Sequence, residues 1–124
     1  MTSRLKIQIA SDLHLEYYPI NYALALEELI IPDPNAHALA LLGDICALGS
    51  DKHLPLYTSF LNQVSQAFPV VLILAGNHEY YSPKGKYTMT DVKQRLTVLC
   101  DHFDNIHLLD NDSIELQGVK IIGM

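Results

Sequence analysis

Ala38-Leu39-Ala40-Leu41-Leu42-Gly43-Asp44 is five apolar residues with no polar alternation, closed by a glycine and a carboxylate. A strand buried on both faces of a parallel sheet reads this way. The pattern recurs downstream, where the apolar run at 70–75 leads into Gly76-Asn77-His78-Glu79. It recurs upstream in weaker form. Residues 5–10 alternate, with Leu5, Ile7 and Ile9 apolar, as a half-buried or edge-proximal strand would, and they run into Ser11-Asp12-Leu13-His14. Three strands, each ending in small and polar residues, set the frame for the rest of the chain.

The segments between these strands read as helices. Asn21 is placed to cap a helix over 22–30 that Pro32 stops. Asp51 or Lys52 precedes a second helix over 54–68, whose Tyr57, Phe60, Leu61, Val64 and Phe68 keep to one face. Thr90 is placed to cap a third, in which Val92, Leu96 and Leu99 have helical spacing. Further on, 106–109 reads as a short strand. Residues 113–116 and 119–123 flank Gln117-Gly118, a tight hairpin turn. The expected fold class is therefore α/β: a mainly parallel sheet built from β-α-β units, with right-handed crossovers and a C-terminal β-hairpin. The 124 residues read as one domain, 1–124. The last strand runs straight into Met124, so the expectation is the front part of a larger, truncated domain.

Composition narrows the function. Apolar residues make up 49% and charged residues 18%, which is not the composition of a disordered chain. The net charge of −6 argues against general binding to nucleic-acid backbones. No run approaches the ~18 consecutive apolar residues of a membrane span. Arg4 and Lys6 interrupt the N-terminal apolar pattern, making it a poor secretory signal. Cys46 and Cys100 fit neither a disulfide framework nor a paired metal spacing. A reducing, cytoplasmic setting follows as the expectation.

The three strand ends carry the chemistry. Asp12 and Asp44 are 32 positions apart, and Asp44 and Asn77 are 33 apart. One β-α-β unit takes about 30 residues. The polar clusters thus recur once per unit, at the carboxyl edge of the sheet where open α/β folds bind ligands. Asp12 and His14, two apart in extended chain, can leave the strand end on the same side. Taken singly, such Asp and Asn residues commonly bond to nearby backbone N–H groups. Taken together, carboxylate, imidazole and amide oxygen suit divalent ions such as Mn²⁺, Fe²⁺ or Zn²⁺. A pair of such ions polarises phosphoryl oxygens and activates water. Two tyrosine pairs, Tyr17-Tyr18 and Tyr80-Tyr81, leave the same edge. They read either as loop packing or as an aromatic rim for a base or aryl group.

The order Asp12-x-His14, Gly43-Asp44, Gly76-Asn77-His78-Glu79 resembles the front half of the calcineurin-like metallophosphoesterase superfamily, over about residues 6–79. The resemblance implies the first half of a four-layer α/β/β/α sandwich. It implies that Asp12 and His14 bind one divalent ion, that Asp44 bridges two, and that Asn77 binds the second. It further implies that His78 faces the substrate phosphate as general acid or hydrogen-bond donor, and that Glu79 holds the His78 ring. The reaction expected is hydrolysis of a phosphomonoester or phosphodiester, on a small molecule or nucleotide, by a dinuclear metal-bound hydroxide. Two departures accompany it. Ala47 stands where family members often carry an acidic or polar residue, three after the bridging Asp. The family also completes its metal shells with later histidines, typically one isolated His and a Gly-His-x-His, whereas only His102 and His107 follow Glu79 here. The alternative is therefore a non-catalytic fragment that binds one ion weakly or none, and that self-associates through exposed sheet edges.

Overall fold

In the computed structural model, residues 4–82 and 85–123 are described. The predicted strand run at 5–10 appears as β1 (Ile7–Ala10). It is followed by β2 (Ala38–Leu42), β3 (Val71–Leu74) and β4 (Ile106–Leu108). These form one sheet in the order β1-β2-β3-β4, every neighbouring pair parallel. Ile9 pairs with Ala40, and Ala40 with Leu72, so the carboxyl ends of the first three strands come level. β5 (Asp112–Leu116) and β6 (Val119–Gly123) form the predicted antiparallel hairpin. Its turn residues Gln117 and Gly118 have φ of 53° and 76°, the left-handed pair that a type I′ turn needs. Met124, on which the expectation of a truncated domain rested, lies outside the described residues.

The two sides of the sheet are covered differently. Leu39, Leu41, Val71 and Ile73 point into the main core, with both long helices packed over them. Helix α1 (Leu54–Ala67) contributes Leu56, Tyr57, Phe60, Leu61 and Val64. Helix α2 (Met89–Asp101) contributes Val92, Leu96 and Cys100. On the opposite side Ala40 and Leu72 meet Ile114, Leu116 and Ile121 of the hairpin. The hairpin does not reach the whole of this face. Ile9 remains 67% exposed and Leu42 45%, so the apolar alternation of β1 marks an edge strand only partly covered. Among the described residues, no helix is long and apolar enough to cross a membrane.

Two helix expectations are corrected. The helix expected over 22–30 is a single 3-10 turn, Leu26–Glu28, in an otherwise irregular crossover. Leu24 and Leu26 are both buried. Residues two apart share a side in extended chain but lie ~200° apart around a helix. The backbone there is satisfied from outside: Gln63 of α1 accepts from Leu26 N at 2.8 Å and donates to Leu24 O at 2.9 Å. Glu28 closes the turn by accepting from Ala25 N at 3.1 Å and from the Tyr22 hydroxyl at 2.6 Å. The cap of α2 is Thr88, not Thr90. Its hydroxyl accepts from Asp91 N while the Asp91 carboxylate accepts from Thr88 N, a reciprocal capping box. Asp51 and Lys52 precede α1 as expected; its N-cap position is His53, and no side chain caps it. Asp51 is drawn away by Arg95, whose guanidinium donates to it at 2.8 Å.

Candidate metal centre

The loops after β1, β2 and β3 are stitched side by side. Asp12 N donates to Gly43 O at 3.0 Å, His14 N to Asp44 O at 3.1 Å, and Leu48 N to Glu79 O at 3.0 Å. The stitching needs unusual backbone. Asp12, His14 and Asp44 have φ of 57°, 50° and 56°, in the left-handed region that costs a non-glycine residue roughly 1–2 kcal/mol. Gly43, at φ 97°, makes the turn before Asp44. Gly76 is needed for closeness instead: a Cβ there would sit 2.5 Å from the Asp44 Oδ1. Left-handed residues concentrated at one spot, three of them polar, point to a site whose geometry matters more than its local stability.

This backbone gathers the side chains. Ligand atoms of Asp12, His14 and Asp44 lie within 4.8 Å of one another. His14 Nε2 is 3.8 Å from Asp12 Oδ1. Asp44 Oδ1 accepts the His78 backbone N–H at 2.8 Å, tying the β3 loop to the β2 carboxylate. Asn77 is exposed at the start of the 3-10 turn His78–Tyr80. The rings of His14 and His78 meet edge-on with centroids 4.5 Å apart. Clustered carboxylate and imidazole donors of this kind fit a divalent ion.

Glu79 does something other than hold the His78 ring. It is 1% exposed. Its Oε1 accepts from Asp44 N at 2.8 Å and Gly76 N at 2.6 Å, and its Oε2 from Ile45 N at 2.6 Å and Cys46 N at 3.1 Å. One buried carboxylate thereby closes the turn after β2 onto the turn after β3. The contact to the His78 ring comes from Glu16, a residue the sequence reading did not single out. Glu16 Oε2 lies 3.1 Å from His78 Nδ1 and 3.0 Å from His14 Nδ1, while Oε1 accepts from Ala47 N at 3.0 Å. Its signal was present as an acidic residue two positions after His14. Its meaning depends on the sheet bringing the β1 and β3 ends together.

The family pattern of the calcineurin-like phosphoesterases matches residues 5–122, nearly the whole chain. The chain belongs to the calcineurin-like phosphoesterases. The chain is 36% identical over 122 residues to "Uncharacterized protein L509" of Acanthamoeba polyphaga mimivirus. The match covers 94% of this chain and 42% of the viral protein, so the chain spans less than half of that relative's length. No solved structure matches it. The family accounts for the α/β fold and implies use of divalent metal, for which the groups at the sheet's carboxyl edge are candidate ligands.

The remaining histidines and Cys46 stand apart from these groups. His102 follows the last turn of α2 and His107 lies within β4. Neither belongs to the two groups able to hold an ion, which are Asp12-His14-Asp44 and His14-Glu16-His78 among the described residues. Burial, then the charges of Glu16 and Glu79, push the Cys46 thiol far above the usual thiol range. No thiolate is therefore offered beside Asp44. Of the tyrosines, Tyr17 is 75% exposed with its ring 5.4 Å from His14, whereas Tyr18 and Tyr80 pack against the core.

Proposed function

We propose that this chain forms the ion-binding face of a phosphoesterase that hydrolyses phosphomonoesters or phosphodiesters of small molecules or nucleotides. The convergence of Asp12, His14 and Asp44 donors within 4.8 Å, on backbone held left-handed for the purpose, carries the reading. Asp12 and His14 would hold one divalent ion, Asp44 would bridge to a second, and Asn77 would serve the second, with Mn²⁺, Fe²⁺ or Zn²⁺ as the ions suited to these donors. Bound ions supply Lewis-acid activation of water and neutralise charge on the phosphoryl group. The protein's own part is positioning. Asp44 fixes the start of the His78 turn through the 2.8 Å backbone hydrogen bond, which sets where the imidazole stands. His78 then offers its ring to a phosphoryl or leaving-group oxygen. Glu79 serves indirectly, by fixing the two turns that carry Asp44 and His78. Phosphoryl transfer asks little covalent chemistry of a protein, so placement of charge supplies most of the rate.

A second reading is favoured by the downstream sequence. With only His102 and His107 after Glu79, and a relative more than twice as long, the 124 residues alone hold part of a ligand set. In that reading the isolated chain binds one ion weakly or none and does not turn over. One assay separates the two. Purified chain is incubated with p-nitrophenyl phosphate or bis-p-nitrophenyl phosphate and Mn²⁺, beside its Asp44→Ala variant. Turnover that chelation removes, and that Asp44→Ala lowers by more than roughly 100-fold, supports the phosphoesterase reading for this chain. No turnover together with weak Mn²⁺ binding in calorimetry supports the fragment reading.

A further inference from the structure

Glu16 occupies a position that its sequence neighbourhood does not explain. It lies in the 3-10 turn Leu15–Tyr17 after β1, yet its carboxylate spans three loops. Oε1 takes the N–H of Ala47 from the loop after β2, at 3.0 Å. Oε2 meets His14 Nδ1 at 3.0 Å in its own loop and His78 Nδ1 at 3.1 Å from the loop after β3. The side chain is only 12% exposed, so water competes little for these contacts. An ionised carboxylate accepts and never donates. As hydrogen bonds to a carboxylate, these two contacts have each imidazole present a proton at Nδ1 to that one oxygen.

From this geometry we infer that Glu16 is a positioning residue that sets the tautomer of two rings at once. With Nδ1–H committed to Glu16, His14 turns its Nε2 lone pair outward, to the atom already 3.8 Å from Asp12 Oδ1. That is the ligand atom a divalent ion at Asp12 and His14 would take. The same constraint makes Nε2 the only ring atom through which His78 exchanges a proton or hydrogen-bonds a substrate oxygen. The edge-on packing of the two rings, 69° between planes at 4.5 Å, follows from two Nδ1–H groups converging on one acceptor. An imidazole is commonly held by a carboxylate of its own, which fixes tautomer and orientation. Here one carboxylate serves two imidazoles and is itself anchored to the backbone at Ala47. The proposal rests on the strand-end site being the ion-binding site, but its first test does not require activity.

The test is ¹⁵N-resolved NMR of the imidazoles in the full chain, under conditions where the rings are neutral. His14 and His78 are expected as Nδ1–H tautomers in the wild type. In Glu16→Ala both are expected to shift toward Nε2–H, the form favoured without a partner. Glu16→Gln, which keeps the shape and one acceptor oxygen, is expected to fall between and guards against Glu16→Ala failing to fold. Zn²⁺ titration by calorimetry should then show roughly 10–100-fold weaker binding in Glu16→Ala, with partial recovery in Glu16→Gln. Nε2–H tautomers in the wild type, or Nδ1–H tautomers that survive in both variants, would overturn the proposal. Pinned tautomers in a chain without phosphatase activity would leave Glu16 in its role and remove only the catalytic reading.

Discussion

The layer beneath the helices and the rim at the strand ends are built by opposite means. Under α1 and α2 the stabilising material is apolar. Leu39, Leu41, Val71 and Ile73 meet Phe60, Leu61, Val64, Val92 and Leu96, all of them essentially without solvent. At the rim the backbone leaves regular hydrogen bonding, adopts left-handed φ at Asp12, His14 and Asp44, and is held by carboxylates instead. Glu79 accepts from four main-chain N–H groups, and Glu16 ties one N–H to two imidazoles. The apolar layer tolerates variation so long as volume is kept. The rim depends on individual atoms, because each buried N–H deprived of its acceptor costs about 1–3 kcal/mol.

The sharpest way to break this contrast is Glu79→Gln. The substitution keeps size and shape but replaces one acceptor oxygen with a donor facing two N–H groups. Whichever pair loses its oxygen, two main-chain donors are left without a partner. A destabilisation of about 2–6 kcal/mol is expected in denaturant unfolding, with little change in the slope. A cost under ~1 kcal/mol would show that the rim is held by something other than the Glu79 carboxylate.

A smaller effect of opposite sign is expected at Asp12. Its side chain is largely exposed, and its φ of 57° carries the left-handed penalty. Asp12→Gly relieves that strain while adding freedom to the unfolded chain. Stability should hold or rise by up to about 1 kcal/mol, while Zn²⁺ or Mn²⁺ affinity falls. A variant that loses stability and keeps its metal affinity would mean that the left-handed backbone does not serve ion binding. Such a trade of stability for function is expected only at the rim.

The same division explains what the sequence disclosed. Strands β2 and β3 were legible because continuous apolar runs at 38–42 and 70–75 leave few other readings. The candidate donors were legible because Asp44 and Asn77 close such runs and Asp12 and His14 follow the alternating run at 5–10. The first crossover was not, because Asn21 before it and Pro32 after it are the punctuation of a helix, while the Gln63 side chain that takes up the backbone groups of 24 and 26 arrives from α1, far along the chain. The α2 cap was missed by two residues because Thr88 and Thr90 are the same residue type, each placed ahead of Val92. What decides between them is Asp91, three after Thr88, which completes the capping box. Glu16 and Glu79 carry the same side chain near the same motif histidines. Their separate tasks emerge only when three strand ends stand side by side, since every hydrogen bond of Glu16 to His78 or of Glu79 to the β2 turn spans more than 30 residues.

The smallest effect belongs to a polar tie that lies outside both regions. Asp51, after the β2 loop, accepts from Arg95 at 2.8 Å and from the Tyr87 hydroxyl at 3.0 Å, and Arg95 also donates to the carbonyls of Leu48 and Ser50. The Arg95 hydrogen bond, then that of Tyr87, holds the Asp51 carboxyl below the ordinary carboxylate range. A carboxyl lowered in the folded state contributes stability above its unfolded pKa, and the contribution is lost as pH falls through the folded value. Asp51→Asn should therefore lower Tm slightly at pH 7, and wild type and variant should converge as the pH falls below about 4. The Asp51 carboxylate is solvent-exposed although the Arg95 side chain is largely covered, so salt should shrink the difference as well. A gap that persists at low pH would mean that Asp51 acts through shape rather than charge. The tie between α2 and the β2 loop would then resemble the atom-specific rim more closely than a screened surface ion pair.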